Sequence, residues 1–142
     1  MADSGQWTGT TRLEASRTHV VCAGGRVVGY YALASGGVAQ GQASGRVRRN
    51  MPDPIPVMIL GRLAVDRTWQ GRSRSLGRSL LRDAVLRTLQ AAGIGGIRAI
   101  LVQAISEEAR RFYQRYGFGE SPLDPMTSMM TVADAEKALS GK

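Results

Sequence analysis

Apolar and polar positions alternate through "RTHVVCA" (17–23) and "RVVGYYALASGGV" (26–38), and the glycine pair 24–25 lies between them. Period-two alternation around a Gly-Gly turn predicts a β-hairpin. "AQGQASGRVRRN" (39–50) is a polar, basic connection, and "MPDPIP" (51–56), with three prolines, is not expected to form a central strand. "VMILGRLAVD" (57–66) is apolar enough for a strand buried on both faces. The period then lengthens. Gly77, Leu80, Leu81, Ala84, Thr88 and Ala91 share one face of a helix predicted over 76–92, and Gly93 is suited to close it. "IRAILVQA" (97–104) is a fourth strand. Ser106 can cap a second helix, with Glu107 and Glu108 favourably placed in its first turn. That helix carries Ala109, Phe112, Tyr113 and Tyr116 along one stripe and stops at Gly117. "TSMMTV" (127–132) is a last strand and "DAEKAL" a short terminal helix. Residues 1–16 are polar and aperiodic, and a flexible N-terminal arm is expected there. The order strand, strand, strand, helix, strand, helix, strand predicts one α/β (α+β) domain over 17–142 with a right-handed crossover.

The chain has 142 residues, 43% hydrophobic and 21% charged. A chain of that length buries roughly 68% of its unfolded surface, enough for a core. Net charge is +8, and Lys137 and Lys142 are the only lysines, so arginine supplies nearly all of the positive charge. The guanidinium fork suits phosphate, so a polyanionic partner is one reading and a solvated basic surface the other. Cys22 is the sole cysteine and His19 the sole histidine. A disulfide within the chain is excluded, and neither a metal site nor a histidine-based triad is supported. "MADSGQWTGTTR" lacks the apolar stretch of a signal peptide, and no run approaches the ~20 apolar residues of a membrane span. A cytoplasmic protein is expected.

"QGRSRSLGRSLLRDA" (70–84) runs from small residues and arginines into the first long helix. A helix N-terminus presents unpaired amides and partial positive charge, and small residues before it let the backbone close around an anion. Residues 71–79 fit a pyrophosphate better than they fit the other reading, a loop that is merely flexible and basic. The stretch is neither a Walker P-loop nor a dinucleotide fingerprint.

"LGRLAVDRTWQGRSRSLGRSLLRDA" resembles the acetyl-CoA-binding core of the GNAT superfamily of N-acetyltransferases, and "FYQRYGF" (112–118) resembles its late helix. With "VVGYYALA", "RRNMPDPIPV" and "FYQRYGFGESPLDP", the chain resembles the toxin acetyltransferases of bacterial type II toxin–antitoxin pairs over about residues 16–135. The resemblance implies a GNAT-like mixed central sheet with flanking helices, acetyl-CoA as cofactor, and aminoacyl-tRNA as acceptor. It also implies a ribbon-helix-helix antitoxin and a homodimer. Backbone groups of Leu63, Ala64 and Val65 would pair with the pantetheine arm, and amides of Arg72, Ser73, Arg74, Ser75, Leu76, Gly77 and Arg78 would cradle the pyrophosphate. Arg46, Arg48 and Arg49 would meet tRNA phosphates. Two departures stand out: "SR" (73–74) looks like a two-residue insertion, and Ser75 occupies the position of the middle glycine. Family members also begin with a strand and two helices before the segment matching "RTHVV". The expected fold therefore lacks that first strand and those two helices.

Acyl transfer from a thioester to an amine needs a neutral amine, a polarised carbonyl and a proton for the departing thiolate. Tyr113 is the candidate donor: a phenol with a pKa near 10 stays protonated at neutral pH. From the helical stripe alone, Tyr113 reads as core; the resemblance places it beside the sulfur. A backbone N–H where strands 57–66 and 97–104 part can stabilise the oxyanion. No carboxylate stands out as a general base. That suits an α-amine, with a pKa near 7.7–8.0, better than a lysine near 10.4. Two other functions stay open: acetylation of a small amine or a protein N-terminus, and a non-catalytic remnant that binds acyl-CoA, antitoxin or RNA.

Overall fold

The computed structural model describes residues 6–13, 16–67 and 74–140. Seven strands form one mixed sheet in the order β1-β2-β3-β4-β5-β7-β6. They are β1 (Gln6–Leu13), β2 (Ser16–Ala23), β3 (Arg26–Val38), β4 (Ile55–Val65), β5 (Ala99–Gln103), β6 (Gly119–Glu120) and β7 (Thr127–Thr131). The helices are α1 (Gly45–Arg48), α2 (Arg74–Gly95), α3 (Glu107–Arg115) and α4 (Val132–Ser140), and a 3-10 turn covers Gln40–Gln42.

β2 and β3 form the expected hairpin, with Gly24 at φ 61° and Gly25 at φ 78°, a conformation in which a Cβ is penalised. β4 and β5 are parallel, with Val57 opposite Ala99 and Leu60 opposite Val102. A parallel pair needs a long connection, and α2 is that connection. α2 buries Leu80, Leu81, Ala84 and Thr88, four of the six residues of the expected stripe. Each leucine contributes roughly 1.5–3 kcal/mol by leaving water. Ser106 caps α3 as expected, its Oγ accepting the Ala109 N–H at 3.1 Å.

Two expectations are corrected. Residues 1–16 are not all a loose arm, because Gln6–Leu13 form β1, antiparallel to β2 from Gln6 opposite Cys22 to Leu13 opposite Ser16. Trp7, Thr8, Thr10 and Thr11 are β-formers beside an otherwise unpaired edge, and that edge decides the matter. The proline run also does not end where β4 begins, since Ile55 and Pro56 open that central strand. Pro56 lies at the strand's second position, where its carbonyl still accepts from the Arg98 N–H at 2.9 Å.

The two faces carry separate cores. α2, α3 and α4 share one face, built on Tyr31, Leu60, Leu80, Ile100, Tyr113 and Phe118. On the other face, Val38, Val47, Ile55, Val57, Leu101 and Met129 form a smaller core under the 39–51 connection.

Candidate active site

β4 outruns its partner. The register with β5 stops at Leu60 and Val102, yet β4 continues to Val65. Beyond its pairing with β4, β5 stays with β7: Gln103 opposes Thr127, and the Ala104 N–H donates to the Met126 carbonyl at 2.8 Å. The two central strands therefore part beyond Leu60. A bulge stands at the same place. Leu33 opposes Leu60 but Ala32 opposes Arg62, so Gly61 is the extra residue. The backbone of Leu63, Ala64 and Val65 borders the opening on the β4 side.

α2 begins close to that opening. A Cβ built at Gly77 would lie 3.8 Å from Val65 and 3.9 Å from Phe112, in ordinary contact with both. The first turns of α2, the end of β4 and the ring of Phe112 thus converge. Leu76 is buried in this junction, while Arg78 is exposed beside it. Arg78 and Arg82 edge an open groove of about 470 Å³, which Tyr116, Phe118 and α4 complete. Arg74 and Ser75 belong to the first turn of α2, which starts two residues earlier than expected. Arg72 and Ser73 lie outside the described residues.

Tyr113 is 3% exposed and packs edge-on against Phe112 at 5.4 Å and Phe118 at 5.8 Å between ring centres. Burial alone pushes its phenol up to about 12, so the group holds its proton throughout the physiological range. Glu107 and Glu108 stand in the first turn of α3, and Glu107 pairs with Arg110 at 2.5 Å. The expected dipole role thus accounts for them.

The arginines of the 39–50 connection are less well placed. Arg46 makes a two-pronged contact to Asp134, at 2.6 and 2.9 Å, and holds that carboxyl below its ordinary range. Asp134 follows Thr131, which opposes Ala99 at the start of β5, whereas the opening lies beyond the end of β4–β5 pairing. Arg46 therefore sits towards the other end of the sheet. Arg48 and Arg49 are exposed nearby.

One part-buried polar cluster escaped the sequence reading. Tyr31 is fully buried, and its hydroxyl donates to Asp83 of α2. Asp83 also accepts from Arg87 at 3.0 Å, and His19 stacks on Tyr31 with ring centres 5.0 Å apart. Burial and the Asp83 hydrogen bond raise the Tyr31 phenol far above its ordinary value. The partners lie on three separate elements, so no local spacing reveals them.

A mixed sheet that parts at a central parallel pair, with a helix starting at the opening, is the architecture expected of an acetyltransferase. Residues 14–120 match the acetyltransferase (GNAT) domain, and the chain belongs to the GNAT acetyltransferase family. It is 59% identical over 126 residues to a tRNA-acetylating toxin of Mycobacterium tuberculosis (strain ATCC 25618 / H37Rv), covering 89% of this chain and 74% of the relative. Among solved structures it is similar to AtaT complexed with acetyl-methionyl-tRNAfMet, with TM-score 0.79, 26% identity and coverage of 89% and 76%. It is also similar to a tyrosine-to-phenylalanine variant of KacT, with TM-score 0.78, 26% identity and coverage of 87% and 75%. The complex AtaTR bound with acetyl-CoA gives TM-score 0.74, 27% identity and coverage of 89% and 76%. Among the described residues, no helix is long and apolar enough to cross a membrane.

Proposed function

We propose that this chain transfers the acetyl group of acetyl-CoA to the α-amino group of an aminoacyl-tRNA, blocking translation as a toxin. One observation carries the reading: β4 separates from β5 beyond Leu60 where α2 begins, and Tyr113 lies in the same core as both. The relative named a tRNA-acetylating toxin and the AtaT complex with acetyl-methionyl-tRNA support the choice of acceptor.

Acetyl-CoA supplies the thioester. The residues present suit it. Leu63, Ala64 and Val65 border the opening with backbone that β5 does not pair, which fits an amide-bearing pantetheine arm. The first turn of α2, from Arg74 through Leu76 to Gly77, offers amides to a pyrophosphate, and exposed Arg78 adds positive charge. Arg72 and Ser73 would extend that cradle.

The amine nitrogen bonds to the acyl carbon, the carbon–sulfur bond breaks, and the proton lost by nitrogen ends on sulfur. Tyr113 serves the sulfur. Its phenol, at about 12, lies well above the ~8.5 of a thiol. Giving the proton away outright would cost about 5 kcal/mol at 1.36 kcal/mol per pKa unit. Tyr113 therefore donates a hydrogen bond to the departing sulfur, and any proton passed on is replaced by the acylated amine in the same turnover. No base is required for an α-amine that is substantially neutral near pH 7.7–8.0.

A ribbon-helix-helix antitoxin as partner, a homodimer and a cytoplasmic setting, where charged tRNA is found, complete the reading. The test is release of free thiol from acetyl-CoA with charged tRNA, against uncharged tRNA and simple amines. Release confined to charged tRNA is expected. Equal release with simple amines would favour a small-amine enzyme, and acetyl-CoA binding without release in any mixture would leave a binding remnant.

A further inference from the structure

The face of the sheet opposite α2 is only half covered. Gly29 faces Leu76 and Leu80 of α2, and Tyr31 reaches Asp83, so alternation turns Tyr30 and Ala32 to the other side. The antiparallel register puts Ala64 opposite Tyr30 and Arg62 opposite Ala32, on that same side. Thr18 and Val20 of β2 join them, opposite Ala32 and Tyr30. None of these residues belongs to either core. Tyr30, Ala32 and Ala64 are half-buried, and Arg62 is exposed.

Arg62 has a particular position: it is the first residue of β4 past the Gly61 bulge, two beyond the last residue paired with β5. It stands at the lip of the opening. No carboxylate among the described residues pairs with it, whereas Arg46 is bound to Asp134 and Arg26 to Asp66. Tyr30 is its diagonal cross-strand neighbour, about 7–8 Å away and within reach of two long side chains. An aromatic face beside a guanidinium with no carboxylate partner among the described residues, on a half-covered sheet face next to a reaction site, has the chemistry of single-stranded RNA recognition. Bases stack on the ring and the fork takes a phosphate.

We propose that Tyr30 and Arg62, on the open face of β3–β4, receive the single-stranded 3′ end of the charged tRNA and lead its aminoacyl group into the opening. The proposal rests on the acceptor named above and gives it a route. α2, α3 and α4 occupy one face, where the start of α2 serves the coenzyme. The acceptor then enters from the opposite face, where exposed Arg62 supplies positive charge at the lip of the opening.

The test uses a fluorescent RNA minihelix with a four-nucleotide 3′ overhang and a blunt-ended twin, read by anisotropy. The overhang is expected to bind the wild type about tenfold more tightly, within the range for one stacked base and one phosphate. Tyr30→Leu and Arg62→Gln should each remove most of that advantage, and Tyr30→Phe should keep it. Arg62→Gln should also lower the slope of log affinity against log salt by about 0.7. Both variants should retain the wild-type heat of acetyl-CoA binding, since neither side chain faces α2. An overhang advantage that survives in both variants overturns the placement. So does a loss accompanied by a changed sedimentation coefficient, which would mark the face as a contact between copies. Acetylation of charged tRNA at an unchanged rate in both variants overturns this route and leaves the acceptor standing. If the wild type acetylates no charged tRNA, both fall.

Discussion

Tyr31 and Tyr113 lie in one core, are nearly equally buried, and both hold their protons above the ordinary range, yet they stand in different company. Tyr31 is committed. Its hydroxyl donates to Asp83, which Arg87 also engages, and His19 covers its ring. The cluster ties β2, β3 and α2 together. Tyr113 is surrounded by Phe112 and Phe118, and burial alone accounts for its raised phenol. A phenol kept neutral, with no hydrogen-bond partner among the described residues, is available to a substrate. Burial does not separate a structural tyrosine from a chemical one; the identity of the hydroxyl's partner does.

The largest effect should come from the committed side. Tyr31→Ala removes a fully buried ring, strips Asp83 of a donor and uncovers His19. A loss of about 3–5 kcal/mol is expected, by analogy with aromatic truncations elsewhere, and denaturant melts would register it. Tyr31→Phe keeps the ring and loses only the hydrogen bond, so about 1–3 kcal/mol should go. A Tyr31→Phe protein as unstable as Tyr31→Ala would show that the ring packing matters less than the Asp83 bond.

Tyr113→Phe should do the reverse. Folding stability should change little, because no protein hydrogen bond contributes to that phenol's shift. Acetyl-CoA affinity, measured by calorimetry, should stay near wild type, while turnover falls tenfold or more. Equal turnover in the two forms would return Tyr113 to the core. The two tyrosines would then differ only in their neighbours.

The order of elements was legible because periodicity reports burial. The alternation over 17–38, the helical stripe from Gly77 to Thr88 and the Ser106 cap all reappear in the structure. The hidden parts depend on distant partners. The β-formers within Gln6–Leu13 do not settle a strand by themselves; the edge of β2 does. Pro56 reads as a breaker until its place at a strand start is known. The parting of β4 from β5 is a matter of register, which no local pattern encodes; family resemblance alone anticipates it. Tyr113 was found through family resemblance, since its stripe spells core, and the structure does bury it. Arg46 likewise has a partner that no local pattern reveals, Asp134, 88 residues along the chain.

The smallest effect concerns His19 and sets the committed cluster apart by pH. Burial lowers its pKa below 6.5, and the nearby Arg87 and Arg17 push the same way, while Asp83 opposes them. The unfolded chain therefore binds this proton more readily than the folded one. Stability from His19 is complete above its unfolded value of about 6.5 and declines as pH falls below it, by at most the one-proton slope of about 1.4 kcal/mol per pH unit. Melts between pH 7 and pH 5 should show this decline in the wild type and a flatter profile in His19→Gln. Over the same range Tyr113, titrating near 12, contributes no slope. A decline of equal steepness in His19→Gln would place the acid sensitivity elsewhere in the chain and leave the Tyr31 cluster indifferent to protonation. The two tyrosine sites would then be distinguishable only by mutation.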